Sequence, residues 1–138
     1  NNFKKTLKFN LNDTLAHELC HAVRWKTIGY SYNNLLEALI TEGLADHFAN
    51  EIIKTKSLHL WDKALTSGQV NDLLKQAKEE YFNKNYVHYE WFFGSKEKGI
   101  PRWTGYTLGF NLVAEYLKKN PSKKPSQLYN LKAEELVK

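Results

Sequence analysis

His17-Glu18-Leu19-Cys20-His21 sets two imidazoles one helical turn apart, with a carboxylate beside the first. Residues four apart on an α-helix are offset by only about 40°, so His17 and His21 can aim ring nitrogens at one metal ion. Glu18 falls on the shoulder of that face, where it can reach a water in an open coordination position without being a ligand itself, as suits a general base. Composition alone would write HExxH into about one such chain in seventy, so the surroundings have to decide. Asp13 and Thr14 supply N-cap chemistry upstream, and Thr27, Gly29 and Tyr30-Ser31-Tyr32 punctuate the downstream end. The spacing predicts a helix over about residues 14 to 27. Leu15, Ala16, Leu19, Ala22 and Val23 form an apolar arc expected to face the core, with His17, Glu18 and His21 looking into a cleft.

Catalytic zinc takes three protein ligands and keeps a fourth position open. The next helix, from Asn33 to about Lys54 and capped by Asn33 or Asn34, offers the third ligand. On its wheel Leu35, Leu39, Glu42, Asp46, Ala49 and Ile53 fall near one line, so two carboxylates are embedded in an apolar stripe. Isolated buried charges cost roughly several kcal/mol, and such groups are therefore paired, protonated or metal-bound. Glu42 is the expected third ligand. Asp46, one turn later, is the expected acceptor for the outer N–H of a ligand histidine, which fixes its tautomer. Gly43 removes a side chain where two backbones would approach closely. Glu37 and Glu51 point the other way, toward solvent. The alternative is a buried Glu42 and Asp46 paired with Arg24.

HELCH followed about twenty residues later by EGLAD resembles the ligand arrangement of the glutamate-zincins, the thermolysin-like metallopeptidases. More closely, DTLAHELCHAVRW, LLEALITEGLADHFANE and WFFGSKEKGIPRWTGYTLGFNLVAEYL resemble a bacterial family described as predicted zinc-dependent proteases. The resemblance runs from about Asp13 to about Pro121. It implies a peptidase in which His17, His21 and Glu42 bind zinc and Glu18 activates water, and it implies no particular substrate. Zincins carry a small β-sheet upstream of the motif helix, whereas here only about a dozen residues precede it. Among them Leu7, Phe9 and Leu11 alternate as a strand would. With no Met anywhere, the chain reads as a single zincin-like domain excised from a longer protein.

At 138 residues, 42% hydrophobic and 14% aromatic, the chain has material for a real core. No segment approaches the ~18 apolar residues of a membrane span, and no signal peptide is visible. The single Cys20 cannot make an intramolecular disulfide and reads as a buried structural thiol, which favours a reducing compartment, with a cytoplasmic setting expected, or a secreted bacterial protein that does without bridges. The net charge of +5 comes from scattered lysine pairs without an arginine and aromatic stripe, which gives nucleic-acid binding no support.

Farther along, Leu58 to Leu65 is a short apolar stretch, followed by a helix with Val70, Leu73, Leu74, Ala77 and Tyr81 in register. The aromatic block Tyr86 to Phe93 reads as core, with His88 a candidate hydrogen-bond donor to a developing oxyanion. Gly99 to Trp103 is a loop leading into a helix over 104–119 that stops at Asn120-Pro121, where Gly105 and Gly109 make a smooth packing patch. Tyr106 is the first candidate, and Arg102 the second, to hold the oxygen of a tetrahedral intermediate. A short helix over Leu131 to Val137 closes the chain.

The expected fold is mainly α, a zincin-like arrangement of four or five helices with at most a minimal N-terminal strand. The motif helix and the Glu42 helix should pack as a hairpin. The expected chemistry is amide hydrolysis of a peptide or protein substrate at zinc. Two rivals stand beside it: a catalytically inactive metal-binding module for sensing or interaction, with a variant in which a regulatory protease cleaves one partner protein, suggested by Glu42, Ala45, Phe48 and Ala49, and a metal-free helical domain.

Overall fold

The computed structural model describes residues 2–54 and 59–138, with side chains described from Leu11 onward. Six α-helices follow in order: α1 (Asn2–Ile28), α2 (Leu35–Ile53), α3 (Ser67–Glu80), α4 (His88–Phe93), α5 (Thr104–Lys119) and α6 (Ala133–Leu136). Among the described residues there is no strand; Ser95 and Ile100 form an isolated antiparallel bridge. The mainly helical expectation is met, with the aromatic block supplying the additional helix, α4. Leu58, where the short apolar stretch was read to begin, lies outside the described residues.

The motif helix begins at Asn2, well before residue 14. The strand suggested by Leu7, Phe9 and Leu11 does not form, and Asp13 and Thr14 lie inside the helix rather than at its cap. Residues 2–28 contain neither Gly nor Pro, so nothing interrupts the hydrogen-bond ladder, and a short alternation fits a helix as well as a strand. Gly29 stops it with a left-handed φ of 83°, its N–H donating to the Trp25 carbonyl at 2.9 Å.

The centre of the fold is α2. Asn34 caps it by accepting the Glu37 N–H at 2.9 Å. Leu35, Leu36, Leu39, Ile40, Leu44, Ala45 and Ala49 are buried all round it, the pattern of a helix enclosed by others. α5 crosses it backbone to backbone: a Cβ on Gly43 would run into the Gly109 carbonyl group, and one on Gly109 into the Leu39 carbonyl. Gly105 instead gives room to Phe92 of α4, whose ring would lie 2.6 Å from a Cβ there.

α1 packs on α2 with the face that carries Ala16, Cys20 and Arg24, all buried. Leu15, Leu19 and Val23, expected to face the core, are exposed, at 58%, 54% and 37%. The polar residues of α1 find complementary groups on α2, and this matching turns the helix so that only Ala16 of the expected apolar arc is buried. Arg24 shows the cause. Fully buried, it donates to Thr41 Oγ1 at 3.0 Å, to the Leu131 carbonyl at 2.7 Å and to Glu37 Oε2 at 2.9 Å. Arg24 therefore pairs with Glu37, leaving Glu42 and Asp46 to other partners. Glu37 is not solvated as expected: its second oxygen accepts the Ala133 N–H at 2.9 Å, tying α6 to the hairpin. Glu51 likewise accepts both the backbone N–H and the hydroxyl of Ser126.

Candidate metal centre

The α1–α2 contact brings His17, His21 and Glu42 together. His17 Nε2 and His21 Nε2 lie 2.9 Å apart, and Glu42 Oε2 is 3.3 Å from the first and 3.5 Å from the second. Tetrahedral coordination with bonds of about 2.0–2.1 Å places neighbouring donor atoms about 3.3 Å apart, so this spacing suits zinc. Both rings present Nε2 to a common point because they sit four residues apart on α1, while Glu42 reaches it from the buried middle of α2.

The groups behind these atoms fix their orientation. His17 Nδ1–H donates to Asp46 Oδ1 at 2.7 Å, which leaves Nε2 free to ligate. Asp46, wholly buried, also accepts from Trp61 Nε1–H at 2.9 Å through Oδ2. The Tyr32 hydroxyl donates to Glu42 Oε1 at 2.7 Å, so only Oε2 of that carboxylate faces the histidines. His21 Nδ1 is buried with no hydrogen-bond partner among the described residues, in contrast to its mate.

Electrostatics follow from this enclosure. Burial opposes a charge on His17, but the Asp46 and Glu42 carboxylates outweigh it and hold the metal-free ring up at about 10. Burial also works against the Glu42 carboxylate, yet hydrogen bonds from His17, His21 and Tyr32 push it far below the usual range. Burial and the neighbouring Glu42 charge push the Tyr32 phenol far up, so Tyr32 is a fixed donor. Metal binding here must displace the His17 proton.

The three donors sit on the wall of a cleft of about 530 Å³, which Glu18 also lines from α1. Trp61, Phe93, Trp103 and Tyr106 form its aromatic sides. Tyr106 packs edge-on to Phe92 with centroids 5.0 Å apart, and its hydroxyl makes no hydrogen bond among the described residues. Burial, with the Glu42, Asp46 and Glu18 charges adding, pushes that phenol up to about 12. Arg102 is exposed and stacks on the Trp103 ring at 4.6 Å, outside the lining of the cleft. His88 is held behind Tyr32, stacked on Phe92 and hydrogen-bonded through Nδ1 to Tyr86 at 3.1 Å, and it does not line the cleft either. Cys20 is buried, its thiol pushed up to about 12 mainly by that burial, and it contributes no donor.

Sequence reasoning missed four residues around the site. Tyr32 was read only as helix punctuation, and His59, Trp61 and Asp62 lie in a segment read as a short apolar stretch. His59 stacks on Trp61 with centroids 4.5 Å apart and hydrogen-bonds Asp62 Oδ2 at 3.0 Å through Nδ1 and Asp13 Oδ2 through Nε2. The segment is pinned to α5 by the Thr107 hydroxyl, which donates to the Trp61 carbonyl at 2.6 Å. An irregular segment carries no periodicity from which these contacts could be read.

Fold and site together define a mainly helical protein with an HExxH-based, metal-capable centre on a cleft wall. The chain belongs to the family described as Predicted Zn-dependent protease (DUF2268), matching it over residues 3–138. It is also similar to the uncharacterized protein YjfC of Bacillus subtilis (strain 168), at 24% identity over 120 residues. That match covers 77% of this chain and 39% of YjfC, so the chain spans well under half the relative's length. No solved structure matches the chain. No helix among the described residues is long and apolar enough to cross a membrane.

Proposed function

We propose that the protein is a zinc metallopeptidase in which His17, His21 and Glu42 hold the ion and Glu18 is the general base. The observation that carries this reading is the set of three donor atoms 2.9–3.5 Å apart in the wall of a cleft that the Glu18 carboxylate also lines. Zinc in this position supplies Lewis acidity, lowering the pKa of water and polarising an amide carbonyl. Glu18 takes the proton of the attacking water and returns it to the leaving amine nitrogen. Tyr106, protonated and with its hydroxyl unengaged among the described residues, donates to the oxygen that gains charge as the carbonyl carbon becomes tetrahedral. Asp46 and Tyr32 act as positioning residues, Asp46 by fixing the His17 tautomer and Tyr32 by engaging one oxygen of Glu42.

The substrate is a peptide or protein segment, and the aromatic sides of the cleft favour one with a bulky apolar side chain beside the scissile bond. The open cleft in front of the donors favours turnover over a metal-holding module, whose fourth position would be closed by protein. Glu18→Gln tests the reading. The variant should keep its zinc and lose at least about 100-fold in cleavage of a peptide library, whereas undiminished turnover would overturn the role of Glu18.

A further inference from the structure

We propose that Asp46, His59 and Asp62, with Asp13 beside them, form a second divalent-cation site joined to the first through Asp46. One donor atom from each of Asp46, His59 and Asp62 lies within 4.8 Å of the others. His59 Nδ1 is 3.0 Å from Asp62 Oδ2 and 3.7 Å from Asp46 Oδ1, while Asp13 approaches Nε2 of the same ring. The side chains of Asp46 and Asp62 have no exposed surface.

Two features separate this cluster from an ordinary acidic patch. Asp62 Oδ1 and Asp13 Oδ1 are buried and accept no hydrogen bond among the described residues. Folded proteins pair almost all such atoms, and an exception calls for a water, a proton or an ion. In addition, Asp46 and Asp62 bring carboxylate oxygens within 4.8 Å of each other, two like charges that a cation between or beside them would offset. Among the described residues no Lys or Arg forms an ion pair with any of the three carboxylates, whose only basic partners are His59 and His17. A divalent cation supplies the missing charge and gives Asp62 Oδ1 a partner, with His59 releasing its Nδ1 proton as it ligates and keeping its Nε2–H on Asp13.

The donor set narrows the ion. Two carboxylates and one imidazole, with no thiol, disfavour soft ions, while the imidazole departs from the all-oxygen sets of Ca²⁺ and Mg²⁺. Mn²⁺ and Zn²⁺ accept this mixture. The site is buried and draws on α1, α2 and the segment after α2, so its role is to hold the segment carrying Trp61 against the cleft. Its existence does not depend on peptidase activity.

The test is a metal count on the full chain. Protein loaded with one equivalent of Zn²⁺ is titrated with Mn²⁺, with free Mn²⁺ followed by electron paramagnetic resonance and total metal by inductively coupled plasma mass spectrometry. Two ions per chain are expected, either one of each or two zincs once zinc is in excess. Asp62→Asn should reduce the count by one, and His59→Ala should weaken the second ion at least tenfold, with one zinc retained in each. A single ion in the wild type, a count that needs no variant, would overturn the proposal, as would an Asp62→Asn protein that still binds two. Glu42→Ala separates this from the peptidase reading: it should lose the first ion and keep the second. A second ion found without the first would sink the peptidase reading alone.

Discussion

The His17 cluster and the His59 cluster meet at Asp46 and use the same residue types in opposite proportions. The first offers two imidazoles and one carboxylate at the wall of a cleft. The second offers one imidazole and two wholly buried carboxylates, with Asp13 holding the other nitrogen of the same ring. A divalent ion held by two neutral imidazoles and one carboxylate keeps a net positive charge and remains a strong electrophile. The same ion between the Asp46 and Asp62 carboxylates would be neutralised and a weaker electrophile, better suited to holding structure together. The difference teaches that the ratio of nitrogen to oxygen donors, together with access from the cleft, separates a reactive centre from a stabilising one.

Asp46 is the residue through which the comparison breaks most severely. Asp46→Ala should weaken zinc at the His17 cluster by about 10- to 100-fold, because His17 loses the acceptor that fixes its ring. It should also abolish the second ion, both effects being read in one competitive chelator titration. An effect confined to either cluster would show that the two are independent. Tyr32→Phe sharpens the contrast, since it touches the first cluster only. Removing a hydrogen bond to the Glu42 carboxylate should lower zinc affinity about tenfold and leave the second ion unchanged, by the same titration.

The smallest effect is a pH dependence in chelator-treated protein. Burial disfavours a charge on His59, but Asp62 and Asp13 outweigh it and hold the ring up at about 9. A raised histidine stabilises the fold fully below its unfolded value of about 6.5 and loses that contribution as pH rises through about 9. Thermal midpoints of wild type and His59→Ala should therefore converge between pH 7 and 10. Curves that stay parallel would remove His59 from the account. His17 loses its own proton near 10 in both proteins and cancels in the difference.

Much of this was legible in the sequence where a period carries it. The spacing of His17 and His21, and the line of Glu42 and Asp46 through an apolar stripe, can be read from the sequence, and the structure brings these four side chains together. α5 begins and ends where the loop and Asn120-Pro121 predict. The orientation of α1 was not legible, because its leucine arc is the stronger hydrophobic signal and the outcome was set by Arg24, His17 and His21 finding partners on α2. Its start was not legible because the alternation of Leu7, Phe9 and Leu11 is too short to exclude a helix. The partners of Glu37, the hydroxyl of Tyr32 and the whole His59 cluster depend on tertiary contacts between distant segments. Asp13 meets His59 across 46 residues of chain, a pairing that local pattern does not encode.

The central claim, that His17, His21 and Glu42 share one zinc, is tested most directly by zinc content. The measurement is inductively coupled plasma mass spectrometry on wild type and Glu42→Ala, purified without a histidine tag or chelator. The account predicts that the variant carries one zinc fewer per chain than the wild type. Equal zinc in the two proteins, or no zinc in the wild type even after zinc is added back, would contradict it.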